Sequence, residues 1–213
     1  MELNSAATYE VLKARGINYL YHANSVKTAC SFLKSGCLLS RGSVISRGLR
    51  QTSQASDDID KKYGVWFDVF TDSVDIHERA SRRNIYGPVL FQIHSEILNA
   101  PDMPPLWITK KNPTKWVEGE NRWYTSIEEL HANFIKGEFD QMIVFRHIGG
   151  VLPIGKHVTD IVLDDPNQEY CGLKFYDLTT GALFSAAAES GMPITIHKRS
   201  CKNGCNCQLE YSL

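Results

Sequence analysis

Residues 19–36 read YLYHANSVKTACSFLKSG, and this stretch decides the fold. The apolar and aromatic residues from Ile17 to Tyr21 predict a short strand, and His22 stands where that run stops. The turn Ala23-Asn24-Ser25 offers side chains that cap the N-termini of helices. Apolar residues then recur at helical spacing up to Gly36, which is where a helix commonly ends, at Val26, Ala29, Cys30 and Leu33. The stretch therefore predicts a strand, a histidine, a turn and a helix, in that order.

The bulk composition is that of a globular protein with a single ordinary domain. The chain has 213 residues, of which 43% are hydrophobic and 22% charged, and its formal net charge is -1. This charge provides no overall basic field for nucleic acid, so any such binding must rest on local clusters. The first residues lack the pattern of a signal peptide, and no apolar run approaches the ~20 residues that span a bilayer. We therefore expect a cytoplasmic protein without a membrane partner, whose six cysteines are thiols or metal ligands.

The remaining chain mixes short strands with helices. A Ser126 cap followed by Glu129 marks the start of one helix. We predict helices at residues 71–83, 126–134 and 180–190, strands at 64–70, 88–94, 106–109, 140–145, 157–163, 173–178 and 193–197, and a long polar loop at 40–62. Short turns between many of the strands favour antiparallel pairing, and the fold class is therefore α+β.

Several segments, taken in their order and spacing, resemble the DarT-like ADP-ribosyltransferases. They are the Tyr-His stretch with Gly36-Cys37-Leu38-Leu39, the aromatic strand at 65–73, the strand at 89–93, the segment 122–130, and the closing strands at 139–145 and 158–163. The resemblance covers residues 17–166. It implies an ADP-ribosyltransferase fold in which two small, twisted, mainly antiparallel sheets form a cleft for NAD. We expect residues 1–166 to form the catalytic domain and residues 167–213 to form a C-terminal extension packed on it.

The resemblance also implies a function. Enzymes of this family transfer ADP-ribose from NAD+ to a base in nucleic acid, and we expect single-stranded DNA or RNA because the base must be exposed. Such enzymes act as toxins with an antitoxin protein as partner, often in defence against phage. Two other acceptors stay open, namely a protein and an RNA 2'-phosphate. A non-catalytic module that binds NAD or a partner is the alternative from a different functional class.

The resemblance assigns the site residues as follows. His22 and Asn24 anchor the nicotinamide and its ribose, and Arg50 meets the phosphates. Phe70 or Tyr124 presses on the nicotinamide ring, although most aromatic side chains of this kind belong to a core. The residue at position 141 faces the ribose and is catalytic together with His22.

Position 141 departs from the family, which has a catalytic glutamate there, whereas this chain has Gln141. Cleavage of the nicotinamide glycosidic bond builds positive charge on the ribose, and a carboxylate stabilises this charge and accepts a proton. A glutamine does neither. Three explanations stay open: a deliberate Glu-to-Gln change, a natural variant in which Glu138 or Asp140 supplies the charge, or a protein that binds without turnover. Strand alternation would put Gln141 and Phe139 on one face and Asp140 on the other.

The tail and the basic segments offer further binding residues. His197, Cys201, Cys205 and Cys207 are soft ligands within eleven residues and could hold zinc, although the spacing is not that of a standard finger. A tail of free thiols is the other interpretation. The basic residues Arg79, Arg82, Arg83, Lys110, Lys111 and Lys115 could form a strip for nucleic acid or a solvated face.

Overall fold

The computed structural model describes residues 2–51, 56–79, 86–201 and 211. Its helices are α1 (Ser5–Ala14), α2 (Val26–Ser35), α3 (Arg41–Ser46), α4 (Asp57–Lys62), α5 (Ile76–Arg79), α6 (Ile127–Asn133) and α7 (Phe175–Ser190). Its strands are β1 (Tyr19–Asn24), β2 (Cys37–Leu39), β3 (Val69–Thr71), β4 (Val89–His94), β5 (Trp107–Ile108), β6 (Ile143–Phe145), β7 (Val151–Pro153), β8 (Asp160–Asp165), β9 (Glu169–Tyr170), β10 (Leu173–Lys174) and β11 (Thr195–Ser200). Short 3-10 helices lie at Ser95–Asn99 and Pro113–Lys115.

The larger sheet has the strand order β1-β4-β8-β11. Strands β1 and β4 are antiparallel and pair His22 with Phe91, and β4 and β8 are antiparallel as well. Strands β8 and β11 are parallel. A parallel pair needs a long crossover connection, and the segment that contains α7 provides it.

A second sheet has the order β3-β6-β5 and is antiparallel throughout. The backbone N–H of Tyr21 donates to the Asp72 carbonyl at 2.9 Å, and the N–H of Asp72 donates to the Tyr21 carbonyl at 2.9 Å. This reciprocal pair fastens β1 of the first sheet to the end of β3. Two small antiparallel pairs, β2 with β7 and β9 with β10, complete the described strands. The predicted α+β fold with small, mainly antiparallel sheets is confirmed.

Helix α2 begins and ends where its sequence predicts. The Ser25 side chain accepts a hydrogen bond from the N–H of Thr28, and Gly36 closes the helix with φ of 64°, a conformation that glycine adopts without strain. Its apolar face, which includes Val26, Phe32 and Leu33, is buried. This face holds the turn after His22 against the core.

The core lies between the sheets and their helices. Phe91 is fully buried at the centre of β4, and burial of a side chain of this size contributes about 1.5–3 kcal/mol to stability. A separate cluster gathers Trp107, Trp116 and Trp123 beside the three-stranded sheet. The Arg146 guanidinium lies 4.9 Å from the ring centre of Trp107 and 5.0 Å from that of Trp123.

The C-terminal residues pack against the rest of the chain at two places. Helix α7 packs against α2, where the Ser190 hydroxyl donates to the Leu33 carbonyl at 2.5 Å. Strand β11 extends the larger sheet along β8. The division into residues 1–166 and 167–213 stays a prediction. No helix in the described ranges combines the length and the apolar character needed to cross a membrane.

Several predicted elements were wrong in position. The loop predicted at 40–62 contains α3 and α4, because Ser40 caps the first of these helices through the N–H of Ser43. The helix predicted at 71–83 is reduced to α5 within the described residues, which exclude 80–85. The predicted strand at 173–178 ends at Lys174, because the next residues start α7 and pack on α2. Helix α1 was not predicted.

The strand predicted at 140–145 begins only at Ile143. Before that residue, hydrogen bonds to the Thr109 side chain take the place of backbone hydrogen bonds between strands. The Thr109 hydroxyl donates to the Asp140 carbonyl at 2.6 Å and accepts from the N–H of Met142 at 2.8 Å. The alternation expected for residues 139–141 therefore does not apply.

Candidate active site

A cavity of about 400 Å³ opens where β1 of the larger sheet faces β3 of the smaller one. Pockets of this size accept small ligands and cofactors. The lining combines the aromatic rings of Tyr21, Phe70, Tyr86 and Phe139 with polar groups from both sheets, among them His22, Asn24, Arg41, Asp60, Asp68 and Asp72. An aromatic wall with several converging polar groups is suited to a nucleotide.

His22 joins the two sheets at this cavity. Its Nδ1 lies 2.8 Å from the Phe70 carbonyl oxygen, which can only accept, so Nδ1 carries the proton. Burial lowers the pKa of His22, although the bond to Phe70 acts to raise it. The ring is therefore neutral at pH 7, and its Nε2 is a hydrogen-bond acceptor. The nearby Asn24 amide lies 3.3 Å from that Nε2.

Asn24 is held by its neighbours. Its Oδ1 accepts the N–H of Ser25 at 3.0 Å, which leaves its amide group to donate toward His22. Gly87 packs directly on the Asn24 backbone with φ of 112°, and a Cβ at Gly87 would collide with the Asn24 carbonyl. Gly87 therefore permits the close approach that fixes the end of β1.

Among the residues that the structure describes, Arg41 is the arginine that lines the cavity. Its guanidinium makes a two-bond pair with Asp57, at 2.8 Å and 2.7 Å, which fixes the group at the start of α3. Arg50, expected to meet phosphates, is exposed and does not contribute to the cavity lining, and its backbone carbonyl accepts from the Ser31 hydroxyl.

Two carboxylates in the cavity have raised pKa values. Burial raises the pKa of Asp68 to about 6, although the neighbouring Arg146 guanidinium acts to lower it. Burial also raises the pKa of Asp60 to about 6, although the Ser56 hydroxyl acts to lower it. Groups that titrate near neutral pH within a cleft are candidates for proton transfer. Sequence reasoning missed both. For Asp68 a usable signal was its spacing of two residues from Phe70, which puts both side chains on the same side of an extended chain.

Gln141 and Tyr124 lie together but outside the cavity lining. The Gln141 amide donates to the Tyr124 hydroxyl at 2.9 Å and to the Asn133 carbonyl at 3.3 Å, and its Oε1 accepts the N–H of Ile135 at 2.6 Å. Both side chains are buried, with 8% and 3% exposure. The structure thus brings His22, Asn24 and Phe70 together at one cavity and places Gln141, Tyr124 and Arg50 elsewhere.

The cysteine tail and the basic strip are described only in part. Cys205 and Cys207 lie outside the described residues, as do Arg82 and Arg83. His197 Nε2 lies 2.5 Å from Asp160 Oδ1. Across the described ranges no group of three histidine, cysteine or acidic side chains is arranged to hold a metal ion. Lys111 and Lys115 are engaged with Glu120 and Asp140, as a solvated face would predict.

Comparison with known proteins finds no matching family model and no matching curated protein. Solved structures do match. DarT of Thermus sp. 2.9 in complex with ADP-ribosylated ssDNA is 11% identical, with a TM-score of 0.50 over 89% of this chain and 95% of that chain. Thermosipho africanus DarTG in complex with ADP-ribose is 12% identical, with a TM-score of 0.51 over 85% of this chain and 50% of that chain.

The chain shares the fold of these DarT structures, as its sequence predicted. The chain spans about half the length of the DarTG structure. Its cavity between the two sheets holds a neutral imidazole, a fixed arginine and buried carboxylates, which can orient a dinucleotide and stabilise positive charge.

Proposed function

We propose that the protein is an NAD-dependent ADP-ribosyltransferase that modifies a base in single-stranded nucleic acid. The observation that carries this proposal is His22, whose neutral ring is fixed by the Phe70 carbonyl at a cavity between the two sheets of a DarT fold. With Nδ1 engaged, Nε2 is an acceptor, and a ribose hydroxyl or the carboxamide of NAD+ would replace the Asn24 amide as its donor. Phe70 would lie against the nicotinamide, and Arg41 would meet the phosphates.

The acceptor is proposed from the similar structures. One of them is a DarT bound to ADP-ribosylated single-stranded DNA. Carboxylates and aromatic rings beside the cavity, such as Phe139 at its rim, can receive an unstacked base. We favour single-stranded DNA, with RNA as the alternative polymer. A role as a toxin with an antitoxin partner, in the cytoplasm, follows from the resemblance and stays a prediction.

The test is a transfer assay with labelled NAD+. The purified protein is incubated with single-stranded DNA, single-stranded RNA and duplex DNA, and label on the polymer is measured together with released nicotinamide. We expect label on single strands and loss of transfer in His22→Ala, because the acceptor nitrogen is removed. The control is Glu120→Gln, which removes an ion pair with Lys111 outside the cavity and should leave transfer unchanged.

A second candidate is a module that binds NAD+ without turnover. Gln141 favours this module, because it stands where the DarT-like family has its glutamate and its side-chain amide is already hydrogen-bonded within the protein. A ligand that binds only the folded state raises its melting temperature. Stabilisation by NAD+ without any transfer would support this module and reject the transferase. Absence of both would reject every NAD-based function.

A further inference from the structure

A buried carboxylate faces the cavity directly before β3. Asp68 lines the cavity with only 8% exposure, and it precedes Phe70 by two residues. Two residues of extended chain span about 7 Å, so Asp68 and Phe70 reach the cavity at neighbouring points. We propose that Asp68, and not the residue at position 141, is the catalytic carboxylate of the transfer, an inference that rests on the proposed function.

The chemistry requires such a group, and position 141 does not provide it. Departure of nicotinamide leaves positive charge on the ribose carbon, which a fixed anion stabilises. Gln141 carries no charge, and its amide is committed to Tyr124, Asn133 and Ile135 away from the cavity lining. Exchange for a glutamate there would put the charge among these groups and not at the cavity.

Asp68 is held in place by a cation behind it. Its Oδ2 lies 2.8 Å from Nε of Arg146, whose guanidinium lies about 5 Å from the ring centres of both Trp107 and Trp123. In the described part of the chain, Oδ2 makes no hydrogen bond beyond this ion pair. The ion pair thereby orients the carboxylate, and several other donors do not occupy this oxygen. Its raised pKa of about 6 leaves it ionised at pH 7 yet able to accept a proton.

The other carboxylates of the cavity fit the role less well. Asp72 accepts the N–H of Val74 at 3.3 Å and belongs to the turn after β3. Asp60 lies on α4, where the Ser56 hydroxyl donates to it at 3.3 Å, and no ion-pair partner for it is found among the described residues. Asp68, in contrast to Asp60, forms an ion pair with a largely buried arginine, and it lies directly before β3, which carries Phe70.

The proposed transfer breaks one bond, forms one bond and moves one proton. The bond between the ribose carbon and the nicotinamide nitrogen breaks, and its electron pair leaves with neutral nicotinamide. The acceptor atom of the base donates an electron pair to the same carbon and forms the new bond. The acceptor's proton passes to the Asp68 carboxylate, which returns it to water. No oxidant, reductant or further reactant is needed.

The experiment compares the wild type with Asp68→Asn in the transfer assay and in NAD+ binding. We expect a loss of at least about 100-fold in kcat with an NAD+ Kd within about threefold of the wild type. The control is Asp165→Asn, which alters an ion-paired carboxylate of similar burial, 7%, outside the cavity. It should transfer at the wild-type rate.

A pH profile separates a catalytic role from a structural one. The wild-type rate should rise with pH through about 6, since Asp68 must be ionised, and this limb should be absent from Asp68→Asn. Asp60→Asn should retain the limb. If the limb disappears in Asp60→Asn and remains in Asp68→Asn, the assignment is overturned. It is also overturned if Asp68→Asn transfers within about threefold of the wild type.

Asp68→Glu is the second test variant, for the case that Asp68→Asn fails to fold because Arg146 has lost its ion pair. It keeps the charge and the ion pair but displaces the carboxylate by about 1 Å, which should cost at least about tenfold in kcat in a folded protein. A wild-type rate for this variant contradicts the proposal. If the wild type binds NAD+ but transfers nothing to any acceptor, the proposed function itself fails, and this inference fails with it.

Discussion

Replacement of His77 by glutamine should lower the melting temperature of the protein by about 6–12 °C at pH 6. His77 is buried between two carboxylates, with Nε2 at 2.8 Å from Asp164 and Nδ1 at 3.0 Å from Asp75. Arg199 of β11 contacts both of these aspartates. The four side chains tie the segment after β3 to the far strands of the larger sheet.

The magnitude follows from burial. His77 and Asp75 are each 8% exposed as side chains, and Asp164 is 3% exposed. Removal of one partner from a buried ion pair costs about 3–5 kcal/mol, and glutamine preserves at most one of the two hydrogen bonds, so we take about 3 kcal/mol. For a chain of this size each kcal/mol moves the melting temperature by about 2–4 °C, which gives the stated range.

The effect should depend on pH with a definite sign. Burial acts to lower the pKa of His77, but its hydrogen bonds to Asp164 and Asp75 outweigh it and the pKa is raised. A raised pKa means that this stabilisation is complete below the unfolded value of about 6.5 and is lost as pH rises through the folded value. Burial acts to raise the pKa of Asp75, but its bonds to His77 and Arg199 lower it to about 2, so its contribution is lost as pH falls from about 4 toward 2.

The assay is thermal unfolding followed by circular dichroism at pH 6 and pH 9. The difference between wild type and His77→Gln should be large at pH 6 and smaller at pH 9. His197→Gln is the matched control, since its ion pair with Asp160 is half exposed and should be worth less than about 1 kcal/mol. An equal difference at both pH values, or one at pH 6 no larger than that of the control, would refute the reasoning.

Three further outcomes are expected. Phe91→Ala should lower the free energy of unfolding by about 3–5 kcal/mol in urea titrations, because Phe91 is fully buried; a loss below about 1 kcal/mol would contradict this. Gly87→Ala should weaken NAD+ binding in calorimetry by displacing Asn24, whereas Gly155→Ala, whose added methyl group meets no atom, should not; equal affinities would reject the role of Gly87. Gln141→Glu should gain no transfer activity and lose about 1–3 kcal/mol in thermal unfolding, since a carboxylate cannot donate to the Asn133 carbonyl; a gain of transfer would locate the catalytic charge there after all.

Local signals in the sequence predicted the first part of the site correctly. Ser25 and Gly36 determine the two ends of α2 through their own hydrogen bonds and backbone angles, which are properties of nearby residues. His22 is placed by the strand before it and by the turn after it. Helix α1 carried a signal of the same kind, since the Asn4 side chain caps it through the N–H of Ala7, and this signal was overlooked.

The rest of the site depends on contacts that no local pattern contains. Arg41 and Arg50 occur in the same polar segment, and the cap at Ser40 together with the Asp57 carboxylate decides that Arg41 faces the cavity. Gln141 was assigned by its place in a strand pattern. The Thr109 side chain, which is remote in sequence, ends that strand early, and Tyr124 then holds the amide.

The position of Gln141 bears on which residue can supply negative charge to the cavity. A sequence pattern gives the order of the segments, but it does not give the side chain that faces the cavity, because residues 139–142 precede β6 and lack the regular alternation of a strand. Here Met142 and Phe139 line the cavity while Gln141 lies between them in sequence and turns away. A carboxylate at position 141 would lie away from the cavity lining, so the glutamine there is compatible with the proposed transfer. In the proposed transfer the anion comes instead from a segment that does line the cavity, with Asp68 directly before β3 and Phe70 within it.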